Sequence, residues 1–195
     1  LFRSNELMVV VELGCGNNKR RKNSIGVDIM DFPGVDHVCD LNHGMPFFET
    51  NSIDEIYSHH FLEHIDNLPS FMEEVYRVLK PGGIISGEVP HFSNPYYYSD
   101  PTHRIFFGLY TFNYFLRNQE SFKRTVPNFY TKLGFELISY RLIFKTFSST
   151  SVYQKIKISI LNRWFNASIL RQELYEEFYC YRFPCYELKF SLRKV

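Results

Sequence analysis

Three acidic side chains stand directly after short apolar runs in the first forty residues. Glu12 follows Val9-Val10-Val11, Asp28 follows Ile25-Gly26-Val27, and Asp40 follows Val38-Cys39. Runs rich in β-branched residues are typical of strands buried on both faces. Gly14 and Gly16 follow the first acid, and a residue without a Cβ lets the backbone turn tightly and approach a ligand closely. The spacing predicts a ligand-binding turn at the end of a buried strand.

This turn lacks the features of phosphate-binding loops. A dinucleotide fingerprint needs a third glycine where this chain has Lys19, and the P-loop pattern G-x-x-x-x-G-K-[ST] is absent. An acid at the end of the second strand, here Asp28, can accept hydrogen bonds from both ribose hydroxyls. These residues therefore favour a nucleoside ligand without phosphates. The alternatives are that Asp28 caps a helix and that Asp40 is a turn aspartate.

Strand and helix patterns alternate through the first ninety residues. Strands are predicted at 9–13, 24–29, 35–40, 52–58 and 84–89, and apolar spacing predicts a helix over 69–80 that Pro81-Gly82-Gly83 ends. This alternation predicts an α/β fold with a parallel sheet covered on both faces. Ligands bind such sheets at the carboxyl ends of the strands. The residues expected to converge on one crevice are Glu12, Asp28, Asp40, Ser58 and Pro90-His91.

The second half of the chain is aromatic and less regular. Residues 91–120 are predicted to form a lid or substrate-binding insertion, because long irregular segments attached to a strand end are commonly functional. A helix over 129–133 ending at Gly134, a sixth strand over 135–144 and a helical insertion over 148–182 are predicted next. Alternating apolar and polar residues over 185–193 predict a final antiparallel strand, exposed on one side, at or near an edge.

Length and composition indicate a single globular domain over residues 1–195. The net charge is +1, but nine basic residues stand against two acidic ones between Arg117 and Arg163. Such an excess is typical of a solvated basic face, with an anionic substrate, a membrane or a nucleic acid as alternatives. Four cysteines without C-x-x-C spacing predict a reducing, cytoplasmic location. No apolar run reaches about 18 residues, so no membrane span is expected, and the early first strand leaves open whether an N-terminal helix is missing.

Five short motifs carry a family resemblance. They are Glu12-Leu13-Gly14-Cys15-Gly16, Gly26-Val27-Asp28, Cys39-Asp40-Leu41, the run SHHFLEH at 58–64 and the run EVYRVLKPGG at 74–83. Together they resemble the class I S-adenosylmethionine-dependent methyltransferases, particularly the small-molecule branch called methyltransferase type 11. The resemblance implies a Rossmann-like three-layer sandwich with a seven-stranded, mostly parallel sheet whose last strand is antiparallel.

The resemblance also implies S-adenosyl-L-methionine as the cofactor. The glycine turn would cradle its methionine part, Asp28 would bind the ribose and Asp40 would meet the adenine edge. The chain departs from many relatives at Asn17-Asn18-Lys19, where they carry another glycine. The expected cofactor-binding residues are Glu12, Gly14, Cys15, Gly16, Asp28, Ile29, Asp40, Leu41, Ser58 and His59.

An oxygen or nitrogen acceptor that must lose a proton benefits from a base whose pKa is near neutrality, and histidine is the natural one. The candidates are His103 and His91, with Asp100 as a group that could orient a histidine. The alternative is that these residues only shape the lid. His64 is predicted to be a buried structural histidine. No metal site is predicted, because the His60/His64 spacing lacks the H-E-x-x-H pattern.

The predicted acceptor is an oxygen or nitrogen atom of a small molecule. The run from Val89 to Arg104 resembles a pattern of bacterial methyltransferases, several of them encoded near surface-polysaccharide genes, which favours a sugar or glycan precursor. The alternatives are an RNA methyltransferase, which the basic excess favours but a missing N/D-P-P-Y motif does not, and a non-catalytic cofactor-binding partner module. Peripheral membrane contact through residues 152–180 is a further alternative, and the oligomeric state is not indicated.

Overall fold

Seven strands form one sheet in the computed structural model, which describes residues 8–127, 129–147 and 151–195. They are β1 (Val10–Leu13), β2 (Ile25–Asp28), β3 (His37–Val38), β4 (Ile53–His59), β5 (Leu79–Pro90), β6 (Phe135–Ile143) and β7 (Glu187–Lys194). Their order across the sheet is β3-β2-β1-β4-β5-β7-β6. Strands β1 to β5 pair in parallel, while β7 is antiparallel to both β5 and β6. The predicted sheet with an antiparallel last strand is confirmed.

The two faces of the sheet differ in polarity. Val11, Ile56 and Ile85 are partners in neighbouring strands, and all three are fully buried on one face. Side chains alternate along a strand, so the next partners, Glu12 and Tyr57, lie on the opposite face. The hydrophobic core therefore lies against one face of the sheet, and the other face carries polar and charged side chains.

Helix α1 (Leu68–Val78) connects β4 to β5 and packs on the core. It begins after Asn67, whose side chain accepts a hydrogen bond from the Ser70 N–H at 3.1 Å. Apolar residues recur every three or four positions, as expected of a helix with one buried face. The buried ones are Leu68, Phe71, Met72, Val75 and Val78. The helix ends at Val78, two residues before the predicted end, and β5 already begins at Leu79 and includes Pro81-Gly82-Gly83.

The connection between β1 and β2 consists of turns, with no helix among its described residues. Glu12 is buried, and its carboxylate accepts the backbone N–H groups of Arg20 at 2.9 Å and Arg21 at 2.8 Å. Lys19 forms an ion pair with Asp36. Because hydrogen bonds to an ionised acceptor are stronger than neutral ones, these contacts can hold the loop without helical hydrogen bonds.

Part of the predicted lid segment belongs to the core. Residues 91–120 contain two short 3-10 helices, Tyr97–Ser99 and Phe112–Phe115, and no α-helix. The Phe112 ring stacks on Phe190 of β7 with centroids 4.1 Å apart, and both side chains are buried. The segment therefore covers the core face of the sheet as well as reaching the strand ends.

The predicted helix ending at Gly134 is wrong. Residues 129–130 form a turn, and 131–134 have no regular structure. Phe129 is 77% exposed, so the stretch buries little apolar surface that could stabilise a helix this short.

Helices α2 (Val152–Phe165) and α3 (Ile169–Phe178) lie within the predicted helical insertion. Side chains of α2 cover the edge of the sheet at β6. Asn162 accepts from the Phe144 N–H at 3.1 Å and donates to its carbonyl at 2.8 Å, and Asn166 makes the same two bonds to Leu142 at 2.7 Å each. Four residues of helix and two of strand both rise by about 6 Å. The two amides therefore pair with edge groups that would otherwise be open to another chain.

Candidate functional site

A cavity of about 290 Å³ lies at the carboxyl ends of β1, β2 and β3, beside the turn that follows β4. Parallel strands bring their carboxyl ends to one edge of the sheet, which is where ligands bind in such folds. Half of the residues predicted to bind the cofactor line this cavity. They are Gly14, Asp28, Ile29, Asp40 and Leu41.

The turn after β1 needs glycine for steric reasons. Gly14 has a φ of +62° and Gly16 a φ of +57°, in the left-handed region that side chains disfavour. A Cβ added to Gly14 would lie 2.7 Å from the Cβ of Phe61, whereas one added to Gly16 would meet nothing within 4 Å. The Gly14 N–H donates to the Val27 carbonyl at 2.9 Å, which folds the turn back onto β2. Gly14 therefore allows both the turn and the close approach of Phe61.

Asp28 stands at the end of β2 and faces the cavity. Its Oδ2 accepts the Gly16 N–H at 2.8 Å, and its Oδ1 accepts the Met30 N–H at 3.0 Å. A carboxylate has about four acceptor positions, so this side chain can still accept hydrogen bonds from a ligand.

Asp40 begins the short 3-10 helix Leu41–His43 and accepts the Asn42 N–H at 3.0 Å. This is the turn-stabilising role considered as an alternative for this residue. The carboxylate also lines the cavity, together with Leu41. The two roles are compatible, because both hydrogen bonds from Asn42 reach Oδ1 and a carboxylate has about four acceptor positions.

The other predicted cofactor-binding residues lie outside the cavity lining. They are Glu12, Cys15, Gly16, Ser58 and His59. Glu12 and Gly16 shape the turn through the backbone contacts described above. Burial raises the pKa of the Cys15 thiol, and Ser58 is fully buried. His59 lies 3.5 Å from Glu88 on the polar face of the sheet.

Six lining residues were not among those predicted to bind the cofactor. They are Cys39, Asn42, His60, Phe61, His64 and Ile65. Three of them, His60, Phe61 and His64, belong to the run at 58–64. That run was part of the family resemblance, so these three could have been predicted to lie near the cofactor. His60 has a φ of +52°, which turns the chain sharply out of β4. That turn brings Phe61 and His64 over the cavity. Their position was not predicted because the exact end of a strand is poorly defined from sequence patterns alone.

The cavity is acidic. Asp28 and Asp40 lie in its wall, and no Lys or Arg of the described part of the chain lines it. His60 is hydrogen bonded to Glu187 at 2.9 Å and to Glu63 at 3.2 Å. Burial opposes protonation, but these two bonds outweigh it and raise the pKa of His60 to about 9. His60 is therefore cationic at neutral pH and unsuited to act as a base.

The predicted catalytic residues His103 and Asp100 lie together beside the cavity. His103 Nδ1 donates to the Tyr97 carbonyl at 2.9 Å, and its Nε2 is 3.7 Å from Asp100 Oδ2. The His103 ring lies next to His64, with centroids 5.0 Å apart. His64 is half-buried and lines the cavity. The predicted burial of His64 is wrong, because the turn at His60 directs it to the cavity wall, but the ring is hydrogen bonded as expected, through Nδ1 to Thr102.

His91 lies away from the cavity and is fully buried. Its Nδ1 accepts the Ser93 N–H at 3.1 Å, and its Nε2 donates to Glu176 of α3 at 3.0 Å. Nε2 therefore joins the end of β5 to α3, and Nδ1 holds the turn that follows β5. The structure contradicts His91 as a base, because the ring has no exposed nitrogen that could meet an acceptor.

The seven-stranded sheet with its antiparallel strand β7 has the Rossmann-like fold of solved S-adenosylmethionine-dependent methyltransferases. A SAM-dependent methyltransferase from Archaeoglobus fulgidus has the same fold with a TM-score of 0.61 and 20% identity, over 96% of this chain and 86% of that one. The YcgJ protein from Bacillus subtilis gives a TM-score of 0.58 and 15% identity, over 96% and 91% of the two chains. At these identities the likeness concerns the fold.

Residues 11–86 match the Methyltransf_11 family model, described as a methyltransferase domain. This likeness to a methyltransferase family concerns less than half of the chain, the stretch from β1 into β5. Sterol 24-C-methyltransferase from Pneumocystis carinii (strain B80) is 42% identical over 66 residues. That match covers 33% of this chain and only 17% of the length of the sterol enzyme.

Proposed function

We propose that this chain transfers the methyl group of S-adenosylmethionine to an oxygen or nitrogen atom of a small molecule. The observation that carries the proposal is the pair of strand-end carboxylates, Asp28 and Asp40, lining one cavity behind a glycine turn. These two carboxylates outweigh the one cationic lining residue, His60, so the cavity disfavours a phosphorylated nucleotide and attracts a nucleoside with a cationic sulfonium.

The chemistry of the lining residues fits this cofactor. Asp28 and Asp40 offer acceptor positions to ribose hydroxyls and to an adenine amino group, and Ile29 and Leu41 offer apolar contact. Gly14 leaves room where a side chain would stand. When bound, S-adenosylmethionine supplies a methyl group already activated by its sulfonium. The protein then has to hold the acceptor in line and exclude water.

His64 and His103 mark the acceptor end of the cavity. The segment that carries His103 packs against the turn after β4, where the Arg104 N–H donates to the Glu63 carbonyl at 2.7 Å. This contact places His103 and Asp100 beside His64. A hydroxyl or amino group bound here would find groups that polarise it and assist the loss of its proton.

Aromatic side chains near this end support a sugar or glycan precursor as the acceptor. Tyr98 and Phe106 are 67% and 56% exposed, and their ring centroids lie 6.0 Å apart. Tyr97 packs on His103 with centroids 4.7 Å apart. Aromatic faces combine apolar contact area with polar tips, which suits a ligand with both C–H and hydroxyl groups. The acidic cavity makes a polyanionic RNA acceptor the weaker alternative.

Helix α2 supports an additional contact with an anionic membrane surface. Among the described residues, no helix is long and apolar enough to cross a bilayer. The outer side of α2 nevertheless exposes more than half of four large side chains, Tyr153, Ile156, Ile160 and Trp164. The helix contains three cations, Lys155, Lys157 and Arg163, and no acid. Such a helix suits the interface of a membrane rich in anionic lipids.

Calorimetry with S-adenosylhomocysteine, followed by turnover of methyl-labelled S-adenosylmethionine, tests the proposed function. We expect saturable binding of S-adenosylhomocysteine without binding of NAD at the same concentration. Label should then pass to members of a panel of nucleotide sugars, free sugars and amines, and not to tRNA. Absence of S-adenosylhomocysteine binding would overturn the proposal. Binding without transfer to any acceptor would favour the non-catalytic module.

A further inference from the structure

Three side chains at the acceptor end form a cluster of metal-ligand type. Glu63, His64 and His103 each offer one ligand atom, and the three atoms lie within 4.8 Å of one another. Two imidazoles and one carboxylate are a ligand set of catalytic zinc sites, in which a fourth position is left for water or substrate. The sequence did not indicate this set, because His103 is forty residues away from Glu63 in the chain.

The hydrogen bonds of the two histidines determine which ring nitrogen is available. His103 Nδ1 lies 2.9 Å from the Tyr97 carbonyl, which can only accept, so Nδ1 carries a proton. The Thr102 hydroxyl donates to Asp100 at 2.6 Å and lies 3.0 Å from His64 Nδ1, so it accepts from His64. In the neutral form, both rings therefore present an unprotonated Nε2. Metal-binding histidines are commonly oriented in this way by a carbonyl or carboxylate on the other nitrogen.

Glu63 supplies an independent observation that points to a ligand. The residue is 1% exposed, and its Oε2 has no hydrogen-bond partner among the described residues. Its Oε1 is 3.2 Å from His60 Nδ1. A buried polar atom without a partner is unfavourable. The carboxylate is therefore held in place through one oxygen, and the other is left for a group that the protein itself does not provide.

We propose that Glu63, His64 and His103 bind one divalent transition-metal ion of the Zn²⁺ type. Imidazole ligands favour Zn²⁺ and similar ions over Mg²⁺ and Ca²⁺, which prefer oxygen ligands. Metal–ligand bonds in such sites are about 2.0–2.2 Å long, so tetrahedral ligand atoms are about 3.4 Å apart. The three ligand atoms, which now lie within 4.8 Å of one another, have to come closer together around the ion. Rotations of the half-buried His64 and His103 side chains can bring them there.

The role of the ion rests on the proposed function. A hydroxyl oxygen of the acceptor would occupy the remaining coordination position, and coordination lowers the pKa of that hydroxyl. The O–H bond of the coordinated hydroxyl then breaks, and its proton passes to solvent water. The oxygen then forms its bond to the methyl carbon as the carbon–sulfur bond breaks. The ion thereby makes the acceptor nucleophilic near neutral pH and ties it to the wall of the cavity.

Metal binding can be measured on the full chain without any acceptor. The protein is stripped with a chelator and titrated with Co²⁺, followed by visible absorption, and with Zn²⁺, followed by calorimetry. We expect one ion per chain. Glu63→Gln, His64→Ala and His103→Asn should each weaken binding more than about 100-fold, since even changes to outer groups cost about 10- to 100-fold. His103→Asn is chosen because its amide can keep the hydrogen bond to Tyr97.

Thr102→Val and His43→Ala provide graded controls. Thr102→Val removes the hydroxyl that contacts His64 Nδ1 and Asp100 but keeps the Thr102 carbonyl 3.3 Å from His64 Nδ1, so it should weaken binding less than the three ligand variants do. His43 lies 3.3 Å from the Asp40 carboxylate but belongs to no three-ligand cluster of the described chain, so His43→Ala should bind Co²⁺ as the unaltered protein does. Circular dichroism confirms that each variant is folded.

The proposal is overturned if the stripped protein shows no saturable binding of Co²⁺ or Zn²⁺, or if the three ligand variants bind like the unaltered protein. It is also overturned if nitrogen-15 NMR shows His103 protonated on both nitrogens with Zn²⁺ present, since an imidazolium held by the carboxylates would then explain the cluster. Calorimetry with S-adenosylhomocysteine separates the two proposals. Binding of that ligand without metal binding removes the metal site and leaves the proposed function standing.

Discussion

The backbone N–H of Gly16 donates to Oδ2 of Asp28 at 2.8 Å, so the acid that ends β2 also fastens the turn that follows β1. Its other oxygen accepts the Met30 N–H at 3.0 Å. One carboxylate thereby fixes two neighbouring loops and still lines the cavity. The shape of the glycine turn and the recognition of the proposed cofactor therefore depend on the same side chain.

We expect Asp28→Ala to lower the affinity for S-adenosylhomocysteine by more than about 100-fold, because hydrogen bonds to a charged group contribute about 1.5–3 kcal/mol each. Part of the loss would come from the loosened glycine turn. Calorimetry measures the affinity, and Asp31→Ala in the exposed loop after β2 serves as the matched control. Undiminished affinity in Asp28→Ala would remove the cofactor assignment.

Gly14→Ala should destabilise the protein more than Gly16→Ala does. Both substitutions force a left-handed backbone at about 1–2 kcal/mol. Only Gly14→Ala adds steric overlap with Phe61. Overpacking of this kind typically lowers the free energy of unfolding by about 1–3 kcal/mol. Urea unfolding of the two variants checks this order. Equal free energies of unfolding would show that Phe61 does not press against the turn.

His91→Ala and His103→Ala should affect different properties, the first mainly stability and the second mainly methyl transfer. The first removes the His91 hydrogen bond to Glu176, whose carboxylate keeps the Leu109 N–H, and should reduce the free energy of unfolding by about 1–3 kcal/mol, while the folded fraction keeps its affinity for S-adenosylhomocysteine. The second should keep both stability and that affinity but lower methyl transfer about 100-fold or more. Thermal unfolding, calorimetry and turnover distinguish them. Full transfer activity in His103→Ala would exclude its proposed role at the acceptor end.

Glu74 should make the stability of the protein depend on pH in a defined direction. The hydrogen bond from Arg77 lowers the pKa of the Glu74 carboxyl against the opposing effect of burial, and the Met45 N–H adds to the lowering. A lowered folded-state pKa stabilises the protein above the unfolded value of about 4.3, and this stabilisation is lost as the pH falls through the folded-state pKa. Glu74→Gln should therefore be less stable than the unaltered protein at pH 7, with a difference that shrinks below about pH 4.

Urea unfolding at several pH values tests the Glu74 prediction, with the exposed neighbour Glu73→Gln as the control. A stability difference for Glu74→Gln that stays constant from pH 7 into the acidic range would contradict the ionic role of this carboxyl.

Ile156→Glu should weaken the proposed membrane contact of α2. It places a negative charge in the exposed apolar stripe, so flotation with anionic vesicles should fall, while binding to uncharged vesicles is weak for both proteins. Ile138→Glu on β6 is the matched control, since Ile138 is also exposed, at 43%, but lies outside α2. Flotation unchanged by Ile156→Glu, or lowered equally by Ile138→Glu, would argue against a membrane contact through this helix.

Features encoded in contiguous residues were predictable from the sequence. The valine run, the glycines after it and the capped apolar stripe of α1 are local patterns, because backbone propensity and periodic burial act over a few residues. Acids placed after consecutive strand patterns also predicted a crevice, since a parallel sheet brings those ends together. The family resemblance added the expected cofactor and the antiparallel last strand.

Which of those acids reach the cavity was decided only by the tertiary structure. Glu12 and Asp28 both end strand patterns, yet Glu12 points to the loop and Asp28 to the cavity. Side chains alternate along a strand, so a shift of one residue changes the face that each occupies. No local pattern specifies that register to the single residue.

The amino-acid sequence by itself determined the strand pattern, the glycine turn and the acids at its strand ends. The tertiary structure decided that His91 is buried and that Glu63, His64 and His103 meet. Glu63 and His103 are brought together by the backbone bond between Arg104 and Glu63, within a segment that has no helical or strand period. Contacts of this kind depend on packing across the fold, and residues distant in the chain leave no periodic signal that reveals them.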